Sequence, residues 1–595
     1  VLQPSGVSDP NGDRTLLSYD ALGRVTAMAL ARQSGGSDGA TLSSPTAEFT
    51  YDMSSVPASA WGRVRETHAD TGTRWFETTS TSDGAGNVVM QKATAAPDGS
   101  TPRWVGNGRV VLNSKGLPIK QYEPFYATSD SFEAEEGFSG VTHVITYDPL
   151  GRPVRVDLPD GNVRRVAFSP WEQTTWDEND NQVGGDHEDT PTTIHLDALG
   201  RPFRTDALLD AAGTLADGTL LRTSVALDIA GNPTAVYDPR SWFGVSQSPP
   251  DAAWAIQEQT FDLLGRPITT ESPDGGDVIA LLDLAGMPLF LWKSGDLGIE
   301  TEVDALRRKV RTWQWDTSSE TKVLRERFVY GESLDDPGTY DPKDDHLRGR
   351  LYRAYDTAGF VELAYDFKGN VLSTTRRFFD DDEEDIDWQS FDPVAYPFTG
   401  DDKDTVAELH DGDGGSNPGA ASLLETEAFT VADTFDAMNR PVTRTAPDDA
   451  VTTYGYDDGG RLLDVDVDSD TLVEEIQYNA RGQRTSIEYD NGVTTATTYE
   501  TNTFRLATLV TTRSSDSTDL QDLTYTYDPV GNIVSIADAV QDTVYFNNSV
   551  VDADQDFTYD ALYRLTNAQG REKSARGRAD WTEPTYGPVP DTSET

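Results

Sequence analysis

The chain has 595 residues, with 101 Asp and Glu against 48 Lys and Arg, a formal net charge of −53 and no cysteine. A phosphate backbone needs clustered basic side chains to neutralise it, so nucleic acid and an anionic membrane surface are excluded as partners, and disulfides, thiolate catalysis and cysteine-ligated zinc go with the missing cysteine. The most apolar run, Val278 to Trp292, is broken by Asp283 and Gly286 and falls short of the roughly 20 apolar residues of a spanning helix, so no membrane span is expected.

Aromatic residues make up 10% of the chain, which argues for a packed structure despite the charge. The acids are dispersed and Lys is scarce, a surface that stays hydrated in high salt. Val1 opens the chain without a readable signal peptide, and a segment of a longer protein is expected.

One phrase recurs in chain order: an aromatic or aliphatic residue, Asp, two residues, Gly, then Arg or Asn. It stands at Tyr19-Asp20 with Gly23-Arg24, Tyr147-Asp148 with Gly151-Arg152, Leu196-Asp197 with Gly200-Arg201, and Leu227-Asp228 with Gly231-Asn232. Phe261-Asp262 with Gly265-Arg266, Leu282-Asp283 with Gly286, and Tyr365-Asp366 with Gly369-Asn370 follow. Tyr355-Asp356 with Gly359, Phe435-Asp436 with Arg440, Tyr456-Asp457 with Gly460-Arg461, Tyr478-Asn479 with Gly482, Tyr527-Asp528 with Gly531-Asn532, and Tyr559-Asp560 with Arg564 complete the series, and Val303-Asp304 with Arg308 and Asp83 with Gly86-Asn87 are degenerate copies. Asp262, Asp283 and Asp304 are 21 residues apart, enough for two short strands and two turns.

Asp at the first position of a type I turn accepts backbone hydrogen bonds, and Gly three residues on supplies the positive φ that closes a bulged hairpin. The flanks alternate, as in Thr524-Tyr525-Thr526-Tyr527 before a turn and Ile533-Val534-Ser535-Ile536 after it, which is strand periodicity. Pro153, Pro202, Pro267 and Pro441 follow the Arg directly and mark strand starts or edges. Capped helical patterns are nearly absent. Stacked hairpins of this kind predict an all-β, long coiled antiparallel sheet with one aromatic ring per repeat in a ladder.

The phrase resembles the YD or RHS (rearrangement hotspot) repeat, over essentially the whole chain. Longer runs are similar to the RHS part of the B and C components of bacterial insecticidal toxin complexes: Tyr122-Glu123-Pro124-Phe125, Phe168-Ser169-Pro170-Trp171-Glu172-Gln173, Trp176-Asp177-Glu178-Asn179-Asp180, His195 through Phe203, Leu347-Arg348-Gly349-Arg350-Leu351-Tyr352 and Tyr559 through Leu565. The resemblance implies a β-strip spiralling into a hollow shell, here open or partial. It further implies an enclosed toxin polypeptide from the same or an adjacent chain, a membrane-penetrating A component reached through parts outside this chain, and a secreted or extracellular location. The family's self-cleaving segment has no match here, so autoproteolysis is assigned to no residue.

The whole of 1–595 is thus expected to be one repeat shell segment. It is punctuated by a Gly- and Ser-rich loop at Ser34 to Ser44, a polar acidic insertion at about 380–421, and a Pro- and acid-rich tail at 583–595. Asp411-x-Asp413-x-Gly415-x-Asn417 has alternating oxygen donors but lacks the sixth-position Gly and twelfth-position Glu of an EF-hand. It reads as a solvated loop, and Asp177 to Asn181 as a turn. None of the six histidines forms a zinc-helix pair, and His195 reads as structural. Trp313 and Trp315 share a strand face and read as wall. No catalytic, metal or cofactor residue is assigned. The leading expectation is a non-enzymatic toxin-enclosing shell segment; the alternatives are a teneurin-like adhesion or carbohydrate-recognition module and, third, a β-solenoid polysaccharide enzyme.

Overall fold

The computed structural model describes residues 3–33, 39–68, 70, 72–134, 140–215, 218–242, 255–319, 321–334, 341–379, 387–388, 425, 427–546 and 549–571. Most of the acidic insertion, its Asp411 to Asn417 loop, the tail at 583–595 and part of the Ser34 to Ser44 loop lie outside these residues.

Each repeat forms its strands for a local reason. The ladder slips by one residue at the aromatic position, for example between Ser18 and Tyr19, Thr146 and Tyr147, Gly455 and Tyr456, and Thr526 and Tyr527. That bulge adds one residue to the outgoing strand, Thr26 and Val154 in the first two, and twists the hairpin. Gly23 (φ +80°) and Gly460 (φ +79°) close such turns in the left-handed region, which glycine enters without steric cost. Where the repeat has lost its glycine, Arg307, Asn439 and Tyr563 hold the same conformation at φ 64°, 65° and 63°. Pro153, Pro202, Pro267 and Pro441 are the first residues of their strands and lie opposite the aromatic or aliphatic residue at the bulge.

The hairpins join into two sheets. A 9-stranded sheet runs from Gly6–Ser8 to Thr101–Asn107 and adds Phe125–Ala127 at its far edge. The second begins with Val110–Leu112 and Pro118–Tyr122 and continues as an unbroken antiparallel meander from Thr142–Tyr147 to Leu565–Gln569. It skips only a small hairpin, Val544–Phe546 with Ser549–Val551. This strip is open: Val110–Leu112 pairs with Pro118–Tyr122 and Leu565–Gln569 with Gln555–Tyr559, and among the described residues no ladder joins these ends. The described helical segments are a single turn at Pro239–Trp242 and a 3₁₀ turn at Gly331–Leu334.

Most strand residues are half-buried on both faces, as a single-layer wall requires. The largest apolar cluster gathers Leu324, Val329, Leu334, Leu347, Tyr352, Tyr355 and Phe360 around Trp388, which is 1% exposed. Trp388 lies within the stretch read as a polar insertion, yet its indole N–H donates to the Asp356 carbonyl at 3.1 Å and pins that point of the insertion to the wall.

The strip coils back on itself. Hydrogen bonds link residues 333 positions apart (His346 with Asp13), 352 apart (Tyr126 with Tyr478) and 386 apart (Tyr563 with Asp177). One turn of the spiral therefore takes about that many residues, and a second tier lies against the first.

Candidate functional site

The repeat turn is built the same way at each position. In Asp20 to Arg24, the Arg24 amide and the Leu22 amide both donate to Asp20 Oδ1 at 2.9 Å, and Arg24 Nε donates to Oδ2 at 2.7 Å. Asp148 with Arg152, Asp197 with Arg201, and Asp262 with Arg266 repeat this, with Nε to Oδ2 distances of 2.7, 2.7 and 2.6 Å. The backbone hydrogen bond from the Arg amide, aided by its side chain, holds these four carboxyls below the ordinary Asp range. Asp457 accepts from the Gly459 and Arg461 amides at 2.8 Å, with Arg461 Nε at 3.6 Å. Asp528 accepts from Gly531 at 2.8 Å and from Asn532 at 2.7 Å. Gly151 (φ +85°), Gly200 (φ +76°), Gly265 (φ +76°) and Gly531 (φ +113°) occupy the glycine place.

The phrase also joins each repeat to the next. Arg266 Nη1 donates to the Asp283 carbonyl at 2.8 Å, Arg461 Nη1 to Asn479 at 3.0 Å, and Arg505 Nη1 to Asp528 at 2.8 Å. Guanidiniums of the repeat also lie over the following tyrosine: Arg24 over Tyr51 at 4.5 Å, Arg440 over Tyr456 at 4.1 Å, Arg461 over Tyr478 at 5.0 Å and Arg505 over Tyr527 at 5.7 Å. The tyrosine hydroxyl donates back to the strand after the preceding turn, Tyr147 to Pro118 (2.7 Å), Tyr456 to Pro441 (2.6 Å), Tyr478 to Leu462 (2.7 Å) and Tyr527 to Leu506 (2.8 Å). Tyr19, in the first such turn, donates to Pro4 at 2.9 Å. Burial raises the phenol pKa of Tyr147, Tyr456, Tyr478 and Tyr527. The ladder expected to be ring on ring is thus an alternation of Arg and Tyr. The ring pairs among the described residues include a knot at Trp388, where Tyr355 meets it edge-on at 4.7 Å and Phe379 at 5.2 Å.

A second constellation, which motif reading missed, is the seam between tiers. Second-tier turns sit on first-tier loops. The Ala437 amide donates to the Glu66 carbonyl at 2.8 Å, and the Glu66 carboxylate takes Arg74 at 2.5 Å and Arg440 at 2.9 Å. Burial pushes Glu66 up, but the two guanidiniums outweigh it and leave the group below its ordinary value. Arg74 also reaches Asp458 at 3.1 Å, and Arg481 lies 3.7 Å from Glu123. Asn11 and Arg348 exchange hydrogen bonds of 3.1 and 2.8 Å beside the buried pair of His346 Nδ1 and Asp13 Oδ2 at 2.8 Å. His68 packs on Phe367 at 5.5 Å, its imidazole pushed down to about 4 by burial and then by Lys368 and Arg65.

The segment Asp177 to Asn181 belongs to this seam. Its turn closes through Asp177 Oδ1, which accepts from the Asn179 and Asp180 amides at 2.9 and 3.1 Å. Asn179 Nδ2 donates to Asp528 at 2.9 Å, and the Tyr563 hydroxyl donates to Asp177. Burial raises the Asp180 carboxyl. Among the described residues no group of three or more His, Asp and Glu is arranged to hold a metal ion. His195 is held between Asp206 (3.2 Å) and Glu172 (3.1 Å) on neighbouring strands. Trp313 packs on the Trp388 cluster, and the Trp315 ring covers Gly298 and lies under Lys322 at 4.9 Å. A recess of about 630 Å³ lies in the seam, lined by Arg74, Arg103, Tyr126, Asp457, Arg461 and Tyr478 among others. No helix among the described residues is long and apolar enough to cross a membrane.

No protein-family model matches the chain. Toxin subunit YenC2 of Yersinia entomophaga is 28% identical over 344 residues, which is 53% of this chain and 32% of its own length. Toxin subunit YenC1 of the same organism is 26% identical over 346 residues, 56% of this chain and 32% of its own length. The chain thus spans about a third of the curated relatives it matches. The crystal structure of TcdB2-TccC3 superposes with a TM-score of 0.79 at 25% identity, over 98% of this chain and 29% of that one. The Photorhabdus luminescens Tc holotoxin pore gives 0.77 at 23%, over 95% of this chain and 30% of that one. The chain is similar to toxin-complex components, and its fold is that of the RHS shell in these structures.

Proposed function

We propose that this chain is a non-enzymatic wall segment of a secreted toxin complex, whose role is to enclose a toxin polypeptide until delivery. The observation that carries the reading is the coiling of a single-layer strip whose second tier is bonded to the first, as in Glu66 with Arg440 and Asp13 with His346. A strip whose turns are stacked on the loops of the tier beside it makes a continuous barrier. Likeness to toxin subunits over about half of the chain supports the toxin setting. The enclosed polypeptide comes from the same or an adjacent chain, and contact with a membrane-penetrating component is made by parts of the assembly outside this one. The test is an electron-microscopy map of the full-length product. A hollow body with density in its lumen is expected; a solid, narrow solenoid overturns the proposal.

A further inference from the structure

Along the first tier the turn edge is a bare rim, where Leu150, Leu199 and Leu284 are 75 to 87% exposed. The seam is the opposite case, since charges there are taken out of water and each needs a partner. Arg63 is held by Glu48 at 2.6 Å, Arg74 by Glu66 at 2.5 Å, and Arg440 by Glu66 at 2.9 Å and Asp436 at 2.6 Å. Arg65 has no such carboxylate. It ends the strand Ala58–Arg65 opposite Trp75, its guanidinium lies 5.0 Å from that ring, and it is 4% exposed. Its Nε and Nη1 are nevertheless buried with no acceptor among the described residues. Both ring nitrogens of His68, three residues on, are buried and unpartnered in the same way.

The acids around this pair are committed elsewhere. Asp366 accepts the Lys368 and Asn370 amides at 2.8 Å, Asp436 accepts the Met438 amide at 2.8 Å besides Arg440, and Asp70 accepts the Gly72 amide at 2.8 Å. Lys368, the second-tier cation that acts on His68 together with Arg65, donates to a carbonyl, that of Asp436 at 2.6 Å. The charge left without a counterpart is therefore positive, in a chain of net charge −53. We propose that a compact monovalent anion, of the size and chemistry of chloride, is held in the seam at Arg65 and His68 and joins the tiers there. Arg65 donates to it from Nε and Nη1, neutral His68 donates its one N–H, and Lys368 adds its charge from the second tier. Burial of all four nitrogens excludes a phosphate or an organic acid. A water molecule would fill the hydrogen bonds but leave the guanidinium charge uncompensated.

The test is amide hydrogen exchange of the full-length protein at pH 7, in sodium chloride and in sodium gluconate at equal ionic strength, so that general screening is the same in both. Chloride is expected to slow exchange at residues 65–68 and 367–368 about tenfold relative to gluconate, and bromide to do the same. Arg65→Met and, separately, His68→Phe should abolish the difference, whereas Arg152→Ala on the bare rim should keep it. Equal exchange in the two salts, an undiminished chloride effect in Arg65→Met, or protection spread evenly over both tiers overturns the proposal. The comparison of salts is made on the unaltered chain, so it decides the matter even where a variant fails to fold.

Discussion

The covered turns of the second tier and the bare turns of the first share one local design and differ in surroundings. Asp262 and Asp457 both accept their own turn's amides, but Asp457 is buried at the seam, beside Asp458 with its Arg74 partner, whereas Asp262 is followed by the exposed Leu263 and Leu264. The comparison separates what a repeat needs to form from what the shell needs to close. Hydrogen bonds inside the turn form in either setting, while charges at the seam are desolvated and matter more.

The largest effect should come from cutting a buried seam pair. Asp13→Ala strands His346 and removes the acceptor of the Gln33 amide, so a loss of about 3 kcal/mol is expected in the local stability of the first-tier sheet, read by native-state hydrogen exchange. Glu66→Ala leaves Arg74 and Arg440 without their shared carboxylate in a half-buried site, and about 2 kcal/mol should be lost by the same measurement. Equal losses for Arg152→Ala, whose partner Asp148 lies on the bare rim, would erase the distinction between the two sets of turns.

Acid should separate them as well. His68 is held at about 4 against 6.5 for the free side chain, so the unfolded chain takes up its proton first. That contribution to seam stability is present at neutral pH and is lost as pH falls from about 6.5 toward 4. Lys368 and Arg65 face the ring as cations, with Asp366 and Asp436 opposing them. The turn aspartates are depressed below 3.8, so their contribution stands above that value and is lost only below it. Limited proteolysis between pH 7 and 4.5 is therefore expected to open the seam near residues 65–68 before the turns, and His68→Gln should flatten that dependence. Tyr478→Phe, which removes the donor to Leu462, should cost about 1 kcal/mol of stability, read from the lowered urea midpoint at unchanged slope. Smallest of all, Leu284→Ser on the bare rim should change the stability of the isolated chain by less than about 0.5 kcal/mol; a larger loss would mean the tip is already covered.

Much of the wall was legible in the sequence. Asp, Gly and Arg at fixed offsets dictate a bulged hairpin, and alternation before Tyr527 and after Asn532 dictates its strands. The Arg-to-Tyr linkage was not legible, because the partner of Arg461 is Tyr478, on the following repeat, and stacked aromatics satisfy the same pattern. Trp388 was hidden by its acidic neighbours, which read as solvent-exposed. The seam was invisible: Glu66 and Arg440 lie 374 residues apart, with no period connecting them.

By itself, the sequence determined the repeat, its turn chemistry and an antiparallel sheet long enough to curl, since those depend on backbone conformation and neighbours within about one repeat. Only the tertiary structure decided which turns are covered, which charges are desolvated and which leucines stay bare. The small twist added at each hairpin accumulates over the whole strip, and where its second tier lands is a property of that sum and not of any single repeat.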